Sequence, residues 1–437
     1  MDKEAPGASV LVLGGGVTGL LAALRLKRAG RAVEVWEASA ESGGWARTLA
    51  WPGPDGTPGY LERGPQGLLV GRDGPLERLV RDLGLTLRRQ EIKGPRWLGK
   101  DGRLHPNPAS LRGLLAAPGL GPLDKLRLLG EPFIPCRPNT TEDLEAYITR
   151  RLGPAFAREI LPALVAGVLA APPDRIGVEA LPRLLRMEAA GGLLRGGLAQ
   201  GPLRTRYPQD GPYPGTGALT RALARHLGCV RTDRAAESLE PAEGGRWRVR
   251  TRGFAREVDT VVLAVPAAAA SRLLQPVAPR AATALLAIPH ADLRVWHSRH
   301  APVRGWEHGV GLLIHPPQGR GVLGLVSMAR EDPRAVPGLL QVRTYLGGAW
   351  PVDPALDAWP GVHAELRRWL PDLGPAVQVR EERAPAAFPI LGRGHAARTG
   401  RILADLPRGL HWLGSARFGP GLPDLAEGVE AWASSWA

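Results

Sequence analysis

Cysteine is nearly absent from this chain. Its two residues, Cys136 and Cys229, stand far apart in 437, with no C-x-x-C pair. That excludes a disulfide scaffold and makes a reducing cytoplasm the simplest compartment. Residues 1–10 lack the basic and apolar regions of a secretory leader, so none is expected there. No window supplies the ~20 uninterrupted apolar residues of a spanning helix. The best run, residues 261–270, is interrupted by Pro266 and reads as a buried strand followed by a loop. Lysine is scarce too: nearly all of the 56 basic residues are arginine, in a chain of net charge +14. A genomic bias toward arginine explains this as well as attraction to anionic lipid or an acidic substrate does. Nucleic acid is excluded as a partner, because the arginines are spread along the whole chain without a binding motif. There is no Ser/His/Asp or metal-ligand constellation, no repeat and no low-complexity tail, so no metal is expected.

With 44% hydrophobic and 22% charged residues, the chain has enough apolar material for two or three domains. Residues 8–13 form a short apolar run that leads into Gly14-Gly15-Gly16-Val17-Thr18-Gly19. Helical periodicity follows over 20–29, with Gly30 as C-cap, and then a second apolar strand over 32–36. This strand–glycine–helix–strand context turns a weak G-x-G-x-x-G pattern into a dinucleotide site. Gly14 permits the tight turn, Gly16 lets the backbone approach a pyrophosphate, and Gly19 lets helix and strand pack closely. The helix N-terminus faces the phosphate charge. Glu37 ends the second strand, where a carboxylate can accept ribose hydroxyls.

Beyond this unit, residues 43–74 read as loops with short strands, and 111–194 as mostly helical. The latter include a helix at 111–129, one at 141–151 capped by Thr140 or Thr141, and one at 155–169. Strands are expected within 231–265 (246–251 and 259–265), and at 292–296, 310–314, 321–327, 340–346, 401–405 and 410–413. A helix over 425–436 ends the chain.

Glu41-Ser42-Gly43-Gly44-Trp45-Ala46-Arg47-Thr48 and Leu61-Glu62-Arg63-Gly64-Pro65-Gln66-Gly67 follow the ribose acid. Near the end, Trp412-Leu413-Gly414-Ser415 and Gly419-Pro420-Gly421-Leu422-Pro423-Asp424 lead into the last helix. Together these segments resemble the flavin amine oxidase superfamily, in which Gly-Gly-x-x-Arg follows the dinucleotide fold. Arg151-Leu152-Gly153-Pro154, Ala166-Gly167-Val168-Leu169-Ala170, Met187-Glu188 and Leu346-Gly347-Gly348-Ala349 narrow the resemblance to its protoporphyrinogen oxidase branch, over almost the entire length.

The resemblance implies an α/β fold with a discontinuous Rossmann-like FAD-binding domain (residues 1–90, 206–270 and 400–437). It adds a mixed-sheet substrate domain (271–399) and a helical, membrane-associating domain that carries part of the substrate domain (91–205). FAD is the implied cofactor. The motifs and the resemblance place it against Gly14, Gly15, Gly16, Val17, Thr18, Gly19, Glu37, Ala38, Gly44, Trp45, Arg47, Gly64, Pro65, Gln66, Gly67, Ala236, Ser415, Pro420, Gly421 and Leu422. Gly64 and Gly67 would let the backbone approach the isoalloxazine, and the last helix would turn its N-terminus to the flavin pyrimidine. Arg96 matches the arginine facing a substrate propionate, and Gly167 the glycine whose carbonyl faces the macrocycle; a surface arginine is the other reading of Arg96, and helix packing that of Gly167. No catalytic acid or base is assigned.

The implied reaction is the six-electron oxidation of protoporphyrinogen IX in haem biosynthesis, with molecular oxygen as acceptor and peroxide as product. Implied partners are the porphyrinogen, a downstream ferrochelatase and the anionic membrane surface, on the inner face of the plasma membrane. Monomer and homodimer both fit. Coproporphyrinogen III is the alternative substrate; another flavin oxidase acting on an amine or polyene, or a non-enzymatic flavin- or porphyrin-binding protein, are the alternative functions. Arg417 and Phe418 do not supply the aromatic pair usual in amine oxidases. Two departures from the branch are visible: Val326-Ser327-Met328-Ala329-Arg330 lacks its aromatic, and Ala171 stands where it carries glycine.

Overall fold

Strand Ser9–Leu13 is apolar throughout because both of its faces are covered, the usual condition of a parallel sheet. Val10 and Val12 enter one apolar cluster; Leu11 and Leu13 enter another on the opposite side. The sheet is parallel, in the order Val230–Arg231, Ala32–Trp36, Ser9–Leu13, Thr260–Leu263, Leu410–Trp412. Three remote parts of the chain therefore build one dinucleotide-type sheet. Helices Val17–Arg28, Thr216–Leu227 and Leu422–Ala433 cover one face. Helices Ala267–Leu274, Pro279–Leu286 and His395–Ala404 share the other with a three-stranded antiparallel sheet, Ser238–Pro241, Trp247–Thr251 and Phe254–Val258.

The computed structural model describes residues 9–70, 74–89, 93–107, 113–114, 117, 119–137, 141–200 and 204–436. The start of the helix expected from residue 111, and Thr140 as a cap, lie outside these residues, as does the boundary expected at 90/91.

A second sheet of seven strands runs Ala376–Pro389, His290–His300, Leu340–Gly348, Val322–Ser327, Gly311–Ile314, Arg96–Lys100, Arg103–Pro106. All its pairs are antiparallel except Gly311–Ile314 with Arg96–Lys100. One face packs Trp296, Leu312, Leu325 and Val342 against helix Trp359–Trp369. The opposite face is shared: Leu293 and Tyr345 lie under the helical region, while Arg299 and Arg343 lie under residues 51–63. No helix among the described residues is long and apolar enough to cross a membrane.

Several expectations are corrected. The segment at 401–405 is the end of helix His395–Ala404, in which Ile402 is wholly buried, and not a strand. The segment at 155–169 is two helices, Pro154–Glu159 and Leu161–Leu169, broken at Ile160 (φ −122°) because Pro162 lacks an N–H and clashes with the preceding turn. Asp143, not Thr141, caps helix Leu144–Leu152, accepting from Ala146 N–H at 2.8 Å. Pro266 does not open a loop; it caps helix Ala267–Leu274. The domain boundaries expected at 205/206, 270/271 and 399/400 fall inside strand Arg204–Asp210 and helices Ala267–Leu274 and His395–Ala404. Both of these helices pack on the parallel sheet.

Candidate flavin and substrate site

The glycine loop is shaped by what its residues cannot carry. Gly14 has φ +104°, and a Cβ there would lie 2.4 Å from the Ala264 carbonyl oxygen; one on Gly19 would lie 1.9 Å from that of Gly14. These two glycines are demanded by strand–helix packing. Gly16 is different: a Cβ there would meet nothing within 4 Å. It is the N-cap of helix Val17–Arg28 and brings no side chain to the free N–H groups of that end. The Gly43-Gly44 turn lies against the loop, with Gly43 N–H donating to Gly15 carbonyl at 2.7 Å. Val17 and Thr18 are buried in the first turn.

Glu37 turns its carboxylate back on the loop, accepting from Gly15 N–H (2.7 Å) and Ser39 N–H (2.9 Å). Arg234 N–H donates to Glu37 carbonyl at 2.8 Å, which brings the turn before Ala236 alongside Glu37 and Ala38. At the other end, Gly414 and Ser415 begin the short helix Ser415–Phe418, and Gly421 caps helix Leu422–Ala433 with no side-chain acceptor. Burial and nearby Glu427 hold Asp424, in its first turn, above the ordinary carboxylate range.

Arg47 is ion-paired with Glu41, and Trp45 lies under the Arg63 guanidinium, 4.6 Å from its ring centroid. A Cβ on Gly64 would fall 2.4 Å from the Trp45 carbonyl oxygen, so backbone packing against Trp45 already requires this glycine. The Gln66 carbonyl accepts from Arg334 Nη1 (2.7 Å), and the Pro65 carbonyl lies 3.2 Å from Thr216 Oγ1.

The mixed sheet presents one long row of side chains to this segment. Register pairs Arg96 with Gly311, Gly311 with Val326, Val326 with Arg343, and Arg343 with His297. A gap too narrow to hold a water is lined by Glu62, Gln66, His297, Val326, Met328 and Arg343 among others, where the row meets the 60–67 segment. Arg96 is three strands away, ~14 Å at ordinary strand spacing, and is exposed. Between them Leu313, Gly324 and Tyr345 share the next row on the same face. Helix Leu161–Leu169 stands over it: a Cβ on Gly167 would come 2.4 Å from Leu313 Cδ2, and Val168 is 65% exposed although aliphatic. Gly167 is thus a close-packing glycine, followed by an exposed aliphatic side chain.

The model of the flavin containing amine oxidoreductase family matches residues 17–380. The chain belongs to that family. Protoporphyrinogen oxidase of Homo sapiens is 33% identical over 387 residues, covering 79% of this chain and 78% of the relative. Coproporphyrinogen III oxidase of Mycobacterium bovis is 27% identical over 450 residues, covering 95% and 94%. A solved structure from Exiguobacterium sp. 255-15, named as a candidate protoporphyrinogen oxidase, covers 98% of each chain with TM-score 0.80 at 21% identity, a likeness of fold. This member of the family is an FAD-dependent oxidoreductase.

The residues of the flavoenzyme fit that cofactor. The open space at Gly16 beside a free helix N-terminus suits a pyrophosphate, and the Glu37 carboxylate suits a ribose. Val326 and Met328 line the gap in the segment that lacks the branch's aromatic.

Sequence reading missed four residues here. Glu62 is buried and ion-paired to Arg334, also fully buried, at 2.9 Å. Arg343 and His297 lie in the floor of the gap. Burial, with Arg343, Arg380 and Arg299 close by, pushes His297 well below the ordinary histidine range, so it is neutral. Glu62 lay within a quoted motif, and its charge beside Gly64 was the available signal. Arg334 and Arg343 are single letters in an arginine-rich background, and His297 stands in no motif.

Proposed function

We propose that the protein oxidises a porphyrinogen to its porphyrin: protoporphyrinogen IX to protoporphyrin IX in haem biosynthesis, through three two-electron steps. Three molecules of oxygen become three of hydrogen peroxide. FAD, when bound, takes the hydride equivalent at each step and passes the electrons to oxygen. The chain's own residues bind, orient and exclude water.

The observation that carries this reading is the sheet face, with Arg96 at its open end and an apolar floor of Leu313 and Tyr345. Gly167 packs on Leu313, the exposed Val168 follows it, and Gln66 stands at the other end. A flat apolar macrocycle with carboxylate arms at one edge would lie along such a face, and a guanidinium can take a propionate bidentately. The relatives named as porphyrinogen oxidases support the substrate class. Protoporphyrinogen IX is preferred over coproporphyrinogen III on the higher identity to its oxidase. Anaerobic titration with each porphyrinogen should bleach the flavin band, and air should then produce fluorescent porphyrin with three peroxides per porphyrin. No porphyrin from either substrate would sink the reading. Peroxide from a panel of amines would instead favour an amine oxidase.

A peripheral membrane position is a second proposal with its own observation. Helix Pro122–Leu129 buries only Leu128; Leu123, Leu126 and Leu129 are exposed, as is Phe133 just beyond, beneath the Arg195 guanidinium. Apolar side chains flanked by Lys125, Arg127 and Arg195 suit an anionic headgroup layer. Such a surface would keep the enzyme at the inner face of the plasma membrane, where a ferrochelatase could take its product. Co-sedimentation with anionic vesicles, abolished in Leu126→Asp/Phe133→Asp, tests it.

A further inference from the structure

Arg343 is the feature of the gap that the protein itself leaves incomplete. It lies in the middle of strand Leu340–Gly348 and is 4% exposed. Its Nη2 donates to the Arg63 carbonyl at 3.3 Å, while Nε and Nη1 are buried without an acceptor. Beside it, the Nε2 of His297, 2% exposed, is also buried without a partner. No carboxylate of the described residues forms an ion pair with Arg343 (the salt bridges of this region belong to its neighbours). Arg334 pairs with Glu62 and Asp332, and Arg299 is bonded to Gln341, Gln378 and the Trp51 and Pro52 carbonyls. A guanidinium stays charged inside a protein, and a buried donor without an acceptor is costly. Saturated arginines on either side of an unsaturated one mark the place where a ligand completes the structure.

The position of Arg343 says which ligand. The gap at Arg343 is too narrow in this packing even for a water, which excludes a whole macrocycle and leaves at most the thin edge of a ring. Gln66 and Glu62, from the segment after the dinucleotide fold, form its opposite wall, and Arg343 itself holds the Arg63 carbonyl of that segment. Arg96, suited to the carboxylate end of a substrate, is ~14 Å away along the same row. We propose that Arg343 is a catalytic residue that donates through Nε and Nη1 to an acceptor edge of the flavin ring, beside His297, and so favours its reduced form. Reduction adds negative charge to the ring, and a fixed cation in a water-poor cavity stabilises that charge more than it stabilises the neutral oxidised ring. His297, neutral, adds a hydrogen-bonding group without charge.

The test uses the FAD-loaded protein and sulfite, which adds to oxidised flavin more tightly when a cation stabilises the resulting negative charge. In Arg343→Met, sulfite Kd should rise at least tenfold and the flavin midpoint potential should fall, with FAD still bound. Arg343→Lys should keep both near the parent values. Sulfite affinity and potential within twofold of the parent in Arg343→Met would overturn the proposal. If porphyrin product binding weakened at the same time, Arg343 would be a substrate-carboxylate residue instead. Should Arg343→Met fail to hold FAD, Arg343→Gln against Arg343→Lys must show the same tenfold gap, and a smaller gap overturns it equally. No porphyrinogen is needed, so failure here is distinct from failure of the substrate reading.

Discussion

Replacing Glu62 by Gln and by Ala should separate charge from shape at the joint between the two sheets. Glu62 is 1% exposed, and its carboxylate accepts four hydrogen bonds. Thr216 N–H (3.1 Å) and Arg334 Nη1 (2.9 Å) reach one oxygen; Thr48 Oγ1 (2.9 Å) and Thr216 Oγ1 (2.7 Å) reach the other. In Glu62→Gln the new amide NH₂ replaces the second oxygen, where both neighbours are hydroxyls. Thr216 can send its proton to the Pro65 carbonyl, 3.2 Å away, and Thr48 can turn to accept. The amide and Thr216 stay satisfied, but Thr48 loses the acceptor of its own proton and the bond to Arg334 loses its ionic part, a loss of about 1–3 kcal/mol. Glu62→Ala strands Thr216 N–H and takes from Arg334 one of its two carboxylates, the other being Asp332; breaking a buried pair from one side costs about 3–5 kcal/mol. Because Arg334 also holds the Gln66 carbonyl, flavin retention should fall in the same order. Parallel heat and urea melts, followed by circular dichroism and by released-flavin fluorescence, give the ranking without a two-state assumption. Small and equal effects of the two variants would refute the view that this ion pair holds the loop.

Gly16→Ala should fold normally and lose FAD affinity by tenfold or more, since its Cβ enters open space; Gly19→Ala should fail to fold, because its Cβ meets the Gly14 carbonyl. Soluble yield and flavin-to-protein ratio distinguish the two, and a fully loaded Gly16→Ala would remove the pyrophosphate from that spot. Arg96→Ala should weaken porphyrinogen binding by about 1–3 kcal/mol, toward the lower end because Arg96 is exposed, with the flavin spectrum unchanged. A KM equal to the parent's would take Arg96 out of the site. His411, half-buried against Trp432 and Trp436, is pushed down to about 4 by desolvation and by Arg417. The unfolded chain then takes up the proton first, so this contribution is complete above pH 6.5 and is lost as pH falls toward 4, about 3 kcal/mol at most. The melting temperature of His411→Phe should therefore fall less steeply than the parent's between pH 7 and 4.5; parallel slopes would contradict it.

What the sequence made legible is what is enforced locally. Gly14, Gly16 and Gly19 sit within six residues, and the constraint between Gly14 and Gly19 is a contact inside one turn. Strands buried on both faces, such as Thr260–Leu263, announce themselves as unbroken apolar runs. The 401–405 segment misled because Arg401-Ile402-Leu403-Ala404-Asp405 is too short to show a period, and only the preceding turns from His395 reveal a helix with Ile402 inward. The joint between the sheets was illegible for another reason. Glu62 and Arg334 are 272 residues apart, and Arg343 differs from dozens of other arginines only in what surrounds it. In a chain whose basic residues are nearly all arginine, residue type carries little information about function. Partnership carries more: most of the buried arginines here have been saturated by carboxylates and carbonyls. Arg343 still has donors to give, beside the 60–67 segment. An unsatisfied buried cation is a cost that folding alone gives no reason to keep, so its place in the molecule points to the ligand that it serves.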